Sequence, residues 1–186
     1  MENPGKIHWE ATKQIFQYLL GMKNWKLMYG TINNGLEGYT DADGSSQEHQ
    51  CTISGYMFLM NRGAISWSSK KQSLVTLSIA ESEYVAAMYA TKEVLWLCQI
   101  IGEVLQPLNK PVTLYSDSQS AIALTKDGSY HAQTKHTISG IISYVSKFKR
   151  NLIYCPTDDM TVDILTKALP NIKAKHFAKA LRLQLT

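Results

Sequence analysis

At 186 residues and 45% apolar composition, the chain has enough hydrophobic side chain for one ordinary domain with an appendage, which excludes a disordered polypeptide. The formal net charge of +4 is mild but uneven: Lys167, Lys173, Lys175, Lys179 and Arg182 crowd the C-terminus while acids gather in the middle, a balance that suits a phosphate-bearing partner. Cys51, Cys98 and Cys155 show neither disulfide nor zinc-ligand spacing, so a reducing intracellular compartment is expected. Met1 opens on polar residues, and the most apolar helix is interrupted by Lys92 and Glu93, so neither export nor a membrane span is expected.

In chain order, Trp9, Thr12, Ile15, Phe16, Leu19 and Leu20 recur at helical spacing over residues 8–20, and Gly21 is expected to stop that helix. After a Gly/Asn-rich connection, 36–41 reads as a strand, followed by a polar loop. Residues 55–60 and 64–67 read as two further strands joined by the Asn61-Arg62-Gly63 turn, which makes an antiparallel meander. A long helix opens at Ser78, where Ser78-Ile79-Ala80-Glu81 matches a capping box, and runs to about Leu105 before Pro107. Residues 112–116 form a short strand ending on Asp117 at the start of another helix. A helical stretch over 138–148, a strand over 151–155 and a late helix bearing Val162, Leu165 and Leu169 complete the chain.

Four carboxylates, Asp41, Glu83, Asp117 and Asp163, stand where strands end or helices begin, which would deliver them to one end of a single α/β sheet. Each has a plain structural alternative. Asp117 could cap the following helix, a duty Ser118 could fill equally well. Asp163 could pair with Lys167 one helical turn on. Glu81 belongs to the cap, whereas Glu83 has no local duty and is placed in the first turn, where the helix dipole favours an anion. Asp43 shares a strand face with Asp41, but a turn-stabilising role ahead of Gly44 suits it better. Four such acids on one small sheet outweigh the separate explanations.

Tyr39-Thr40-Asp41-Ala42-Asp43, Ser54-Gly55-Tyr56, the run from Ile65 to Gln72, Glu81-Ser82-Glu83-Tyr84, Asp117-Ser118-Gln119-Ser120-Ala121, Thr134-Lys135-His136 and Asp163-Ile164-Leu165-Thr166-Lys167 follow one another as in the RNase H region of copia-type LTR retrotransposon Pol polyproteins. The chain resembles that family over nearly its whole length. Its opening, with Asn3-Pro4-Gly5 and His8-Trp9, is similar to the last segment of the preceding reverse transcriptase. The resemblance implies an RNase H-like fold, a five-stranded mixed α/β sheet with helices on both faces. It also implies a division into a reverse-transcriptase remnant (1–35), an RNase H-like domain (36–170) and a basic C-terminal helix or tail (171–186).

The implied activity is hydrolysis of the RNA strand of RNA–DNA hybrids during reverse transcription, with Asp41, Glu83, Asp117 and Asp163 as catalytic metal ligands for two Mg²⁺ ions, for which Mn²⁺ could substitute. Lys70, Lys71 and Gln72 before the long helix, and Ser118 and Gln119 beside Asp117, are the expected nucleic-acid contacts. The reverse-transcriptase domain of the parent polyprotein is the expected partner, and the cytoplasm (the element's virus-like particle) or the nucleus the expected location. His136 is read as structural or phosphate-adjacent, since a two-metal site needs no imidazole base. The run Thr137–Ile142 departs from the family pattern, as do Gly44 and Gln50-Cys51. These departures motivate a second reading, a catalytically decayed remnant that only binds nucleic acid or serves as a structural module.

Overall fold

The computed structural model describes residues 3–30, 35–44, 52–73, 76, 78–105, 108, 111–126 and 151–185. The expected helix over 138–148, Thr134-Lys135-His136, the departure at Thr137–Ile142 and the Gln50-Cys51 pair lie outside the described residues. Helix α1 (Lys6–Met22) is followed by strand β1 (Trp25–Leu27), β2 (Leu36–Asp43), β3 (Ile53–Met60), β4 (Gly63–Lys71), α2 (Ile79–Val104), β5 (Thr113–Ser116) and α3 (Gln119–Lys126). Strand β6 (Leu152–Tyr154), a 3-10 turn (Thr157–Asp159), α4 (Asp163–Thr166), α5 (Asn171–Ala180) and β7 (Leu183–Leu185) complete the order.

Five strands form one mixed sheet in the order β4-β3-β2-β5-β6. β2, β3 and β4 run antiparallel as the expected meander, and β5 and β6 are parallel to β2 and to each other, respectively. The turn between β3 and β4 places both Asn61 (φ 53°) and Arg62 (φ 63°) in the left-handed region, as a two-residue hairpin loop compatible with strand twist requires. Asparagine tolerates that backbone; arginine does so at some cost.

Period-two alternation gives each sheet face its own core. On one face Leu36, Phe58 and Leu114 pack against Ala90, Val94, Leu97 and Ile101 of α2 and Ile122 of α3. On the other, Met57, Leu59 and Ala64 pack against Met160, Val162 and Leu181. Full burial of a side chain such as Phe58 contributes about 1.5–3 kcal/mol, so these two layers dominate the domain's stability. The helices therefore flank both faces, as expected. Among the described residues no helix is long and apolar enough to cross a membrane.

Two strands run past their expected ends, β2 to Asp43, which pairs with Ile53 and leaves Asp41 inside the strand, and β4 to Lys71, and three further elements differ from the sequence expectations. Gly21 does not stop α1, which continues one residue further to Met22, because a single exposed helical glycine costs only about 1 kcal/mol. The late helix is a single turn, α4, since Lys167 leaves it with extended backbone (φ −120°, ψ 144°) and Pro170 follows. The C-terminal stretch is not helix throughout: β7 pairs antiparallel with β1 in a separate two-stranded sheet that periodicity over three residues could not announce. Tyr29 OH donates to Ala64 O at 2.9 Å, and Gly30 N–H to Asn61 O at 2.7 Å, which fastens the stretch after β1 to the β3–β4 hairpin.

Candidate metal centre

The parallel register of β2 and β5 positions two of the four acids. Tyr39 lies opposite Tyr115, with their rings stacked at a centroid separation of 5.0 Å. Asp41 and Asp117 each follow two residues later, so neighbouring strands bring them out side by side. Ser118 Oγ accepts the Ala121 N–H at 3.1 Å and so caps α3, which leaves Asp117 available to the site. Thr157 Oγ1 donates to Asp117 Oδ2 at 3.1 Å from the 3-10 turn after β6.

Glu83 arrives from α2. Ser78 Oγ accepts the Glu81 N–H at 3.2 Å, as the capping pattern anticipates. Glu83 itself lies just past the first turn, a correction to its expected place, so the helix dipole helps it little. Its carboxyl is instead pushed up to about 9, first by burial, then by the charges of Asp41 and Asp117; the N–H of Ala42 and the charge of Lys167 only partly offset this. Glu83 is 5% exposed, and its Oε2 is buried without a hydrogen-bond partner. An uncompensated acceptor of this kind costs about 1–3 kcal/mol, and a bound cation would satisfy it.

Asp41, Glu83 and Asp117 each bring one carboxylate oxygen to within 4.8 Å of the others. Hard oxygen donors in such a cluster fit Mg²⁺ or Mn²⁺ and not a soft-ligand metal. Asp163, the fourth expected ligand, is the first residue of α4 and 1% exposed, but it is not in this three-acid group. Its oxygens face lysines: Lys167 Nζ lies 2.8 Å from Oδ1 and Lys173 Nζ 3.6 Å from Oδ2. Lys167 Nζ also reaches Asp41 Oδ1 at 3.1 Å, and Thr166 Oγ1 donates to Asp41 Oδ2. Burial raises the Asp41 carboxyl, opposed by Thr166 and Lys167 and reinforced by Asp163. The Lys167 ammonium is held charged: burial would lower it, but the hydrogen bond to Asp163 and the charge of Asp41 prevail.

Gly55 permits this arrangement. It lies opposite Asp41 in the β2–β3 ladder, and a Cβ there would stand 2.6 Å from Thr166 Cγ2 and 3.4 Å from Leu165 Cβ, so α4 could not sit as close to the sheet. Ser69 Oγ donates to Leu165 O at 2.6 Å and ties α4 to β4.

Of the expected nucleic-acid contacts, Lys70 and Lys71 are exposed at the end of β4 and Gln119 is exposed on the first turn of α3. Ser118 is half-buried and engaged in the cap. Gln72 requires a correction: it is 6% exposed, and its Nε2 donates to Ser54 Oγ at 2.7 Å and to Ser82 O at 2.9 Å. That amide joins β3 to α2 and is not presented to a ligand. Thr157, Thr166 and Lys173 escaped the sequence reading as site residues, and Lys167 entered it only as a partner for Asp163. Thr166 and Lys167 close the Asp163-Ile-Leu-Thr-Lys run, so position beside an acid was the available signal.

This strand order, with helices on both faces, is the RNase H fold. LC11-RNase H1, solved in complex with RNA/DNA hybrid, matches it with a TM-score of 0.50 at 16% identity, covering 71% of this chain and 94% of that one. No family model matches the chain. In sequence it is 41% identical over 177 residues (93% of the chain) to the retrovirus-related Pol polyprotein from transposon TNT 1-94 of Nicotiana tabacum. It is 30% identical over 185 residues (96% of the chain) to that from transposon RE2 of Arabidopsis thaliana. Over most of its length the chain is thus homologous to retrovirus-related Pol polyproteins of plant transposons, and it spans 13% of the length of each of these two relatives.

Proposed function

We propose that this chain is the RNase H segment of a copia-type Pol polyprotein and hydrolyses the RNA strand of RNA–DNA hybrids with the help of divalent cations. The observation that carries the reading is the convergence of Asp41, Glu83 and Asp117, with a buried Glu83 oxygen left unsatisfied. These three residues would hold Mg²⁺, or Mn²⁺ in its place, with Asp163 as the fourth acid of the set. Cations bound there would activate the attacking water and stabilise the leaving 3′-oxygen.

The remaining side chains support that chemistry. Thr157 and Thr166 hold Asp117 and Asp41 in place through their hydroxyls. Lys70 and Lys71 offer exposed ammonium groups to phosphates, and Ser118 and Gln119 lie beside Asp117 where a 2′-hydroxyl could be read. The hybrid bound by LC11-RNase H1, which shares the fold, agrees with this substrate class. The same proposal takes residues 1–35 as the end of the reverse transcriptase, with that domain as partner, and 171–186 as a basic C-terminal helix or tail. It places the protein in the cytoplasm, within the element's particle, or in the nucleus.

The test is incubation with a labelled RNA–DNA hybrid, a DNA duplex and an RNA duplex, in Mg²⁺ and in chelator. Cutting confined to the RNA strand of the hybrid, dependent on metal and abolished by Asp117→Asn without loss of fold, is the expected result. Salt-sensitive hybrid binding with no metal-dependent cutting would overturn the nuclease reading and favour the decayed binding module.

A further inference from the structure

All four oxygens of Asp41 and Asp163 are already engaged. Lys167 Nζ bridges Asp41 Oδ1 and Asp163 Oδ1, Thr166 donates to Asp41 Oδ2, and Lys173 Nζ faces Asp163 Oδ2. Both carboxylates are about 1% exposed on their side chains, whereas the lysine is 30% exposed, so the ammonium enters the site from the solvent side as a tethered plug. Its backbone is fixed as well: Lys167 N–H donates to Asp163 O at 2.9 Å at the end of α4, directly after Thr166. Glu83, by contrast, has an oxygen without a hydrogen-bond partner and belongs to the three-acid group, which does not include Asp163.

From this division we infer that Lys167 is the resident cation of the Asp41–Asp163 half of the site, so the substrate-free chain takes one divalent cation, at Asp41, Glu83 and Asp117. The inference rests on the reading of this cluster as a cation site and adds to it a positioning residue that sets the number of ions. A single positive charge on a flexible stem can offset part of the charge of two buried carboxylates, with Lys173 beside Asp163 supplying a second, and still be displaced, which a fixed arginine fork would resist. A second ion can enter only where that ammonium leaves. In a larger sense, Lys167 would keep the two acids from repelling each other before substrate arrives.

The experiment is calorimetric titration of the whole chain with Mn²⁺ alone, read as stoichiometry and affinity without substrate. One ion per native chain is expected, two per Lys167→Gln chain, and one again per Lys167→Arg chain. Because Lys167→Gln exposes two buried acids to each other and could fail to fold, Asp163→Asn provides an independent reading: it should leave affinity for the first ion within threefold. Two ions on the native chain, one ion on a folded Lys167→Gln chain, or a tenfold or greater loss of first-ion affinity in Asp163→Asn would each overturn the inference while leaving the cation site standing. No binding at all would overturn the cation site together with it.

Discussion

The hydroxyl of Thr166 donates to Asp41 Oδ2, joining residues 125 positions apart in sequence, both of them buried. One is in the central strand of the sheet and the other in a one-turn helix on the opposite side of the ladder from α2. Asp41 thereby gains a compensating donor in a place where burial disfavours its charge. Thr166→Val keeps the shape and removes the donor. It should destabilise the chain by about 1–3 kcal/mol, measured by urea denaturation, and weaken divalent-cation binding. Unchanged stability and affinity would show that the hydroxyl is incidental.

Glu83 sets a pH dependence whose sign is fixed by its surroundings. Its carboxyl is raised from 4.5 to about 9 in the folded chain, so the folded state binds a proton that the unfolded state releases. The stability this contributes is fully present below the unfolded value and is lost as pH rises through the folded one. Asp41, also raised, acts in the same direction. Thermal melts in chelator should therefore show a falling Tm between about pH 5 and 9, with Glu83→Gln flatter and higher at the alkaline end. In Mg²⁺ the trend should reverse, since the cation binds the ionised carboxylates. A metal-free Tm that climbs with pH would contradict the burial argument.

Helix α1 presents a wide apolar surface to solvent: Trp9 is 60% exposed and Phe16 65%, with Ile15, Leu19 and Leu20 also uncovered. Surfaces of this kind favour association. A chain starting at Asn24 would lose α1 but keep β1 and its ladder with β7. Sedimentation should show it less oligomeric than the full chain; equal behaviour of the two would remove α1 from any account of self-association.

The sheet was legible because its strands announce themselves: short strand-like runs over 36–41, 55–60 and 112–116, and the Asn61-Arg62-Gly63 turn between two of them. The long helix was legible through its Ser78 cap. Asp41 and Asp117 could be picked out because each follows a strand-like run and Glu83 because the cap leaves it without a local duty, and Ser118 could be recognised as an alternative cap that leaves Asp117 to the site. What stayed hidden depends on contacts distant in sequence. Gln72 looked like an exposed polar residue, yet its amide spans β3 and α2, which nothing in its neighbours signals. The β1–β7 ladder joins two three-residue segments from opposite ends of the chain. The pairing of Asp163 with Lys167 could be read from their spacing, but not that Lys167 also reaches Asp41, nor that Lys173 approaches Asp163 from α5.

The central claim, that Asp41, Glu83 and Asp117 form a divalent-cation site, is tested most directly by the anomalous difference map of a crystal of the whole chain soaked in Mn²⁺. A peak is expected in direct contact with one oxygen from each of the three carboxylates, with Glu83 Oε2 among them, and no such peak in a Glu83→Gln crystal. A map without density between these residues, or with manganese held only by surface acids such as Asp158 and Asp159, would contradict it.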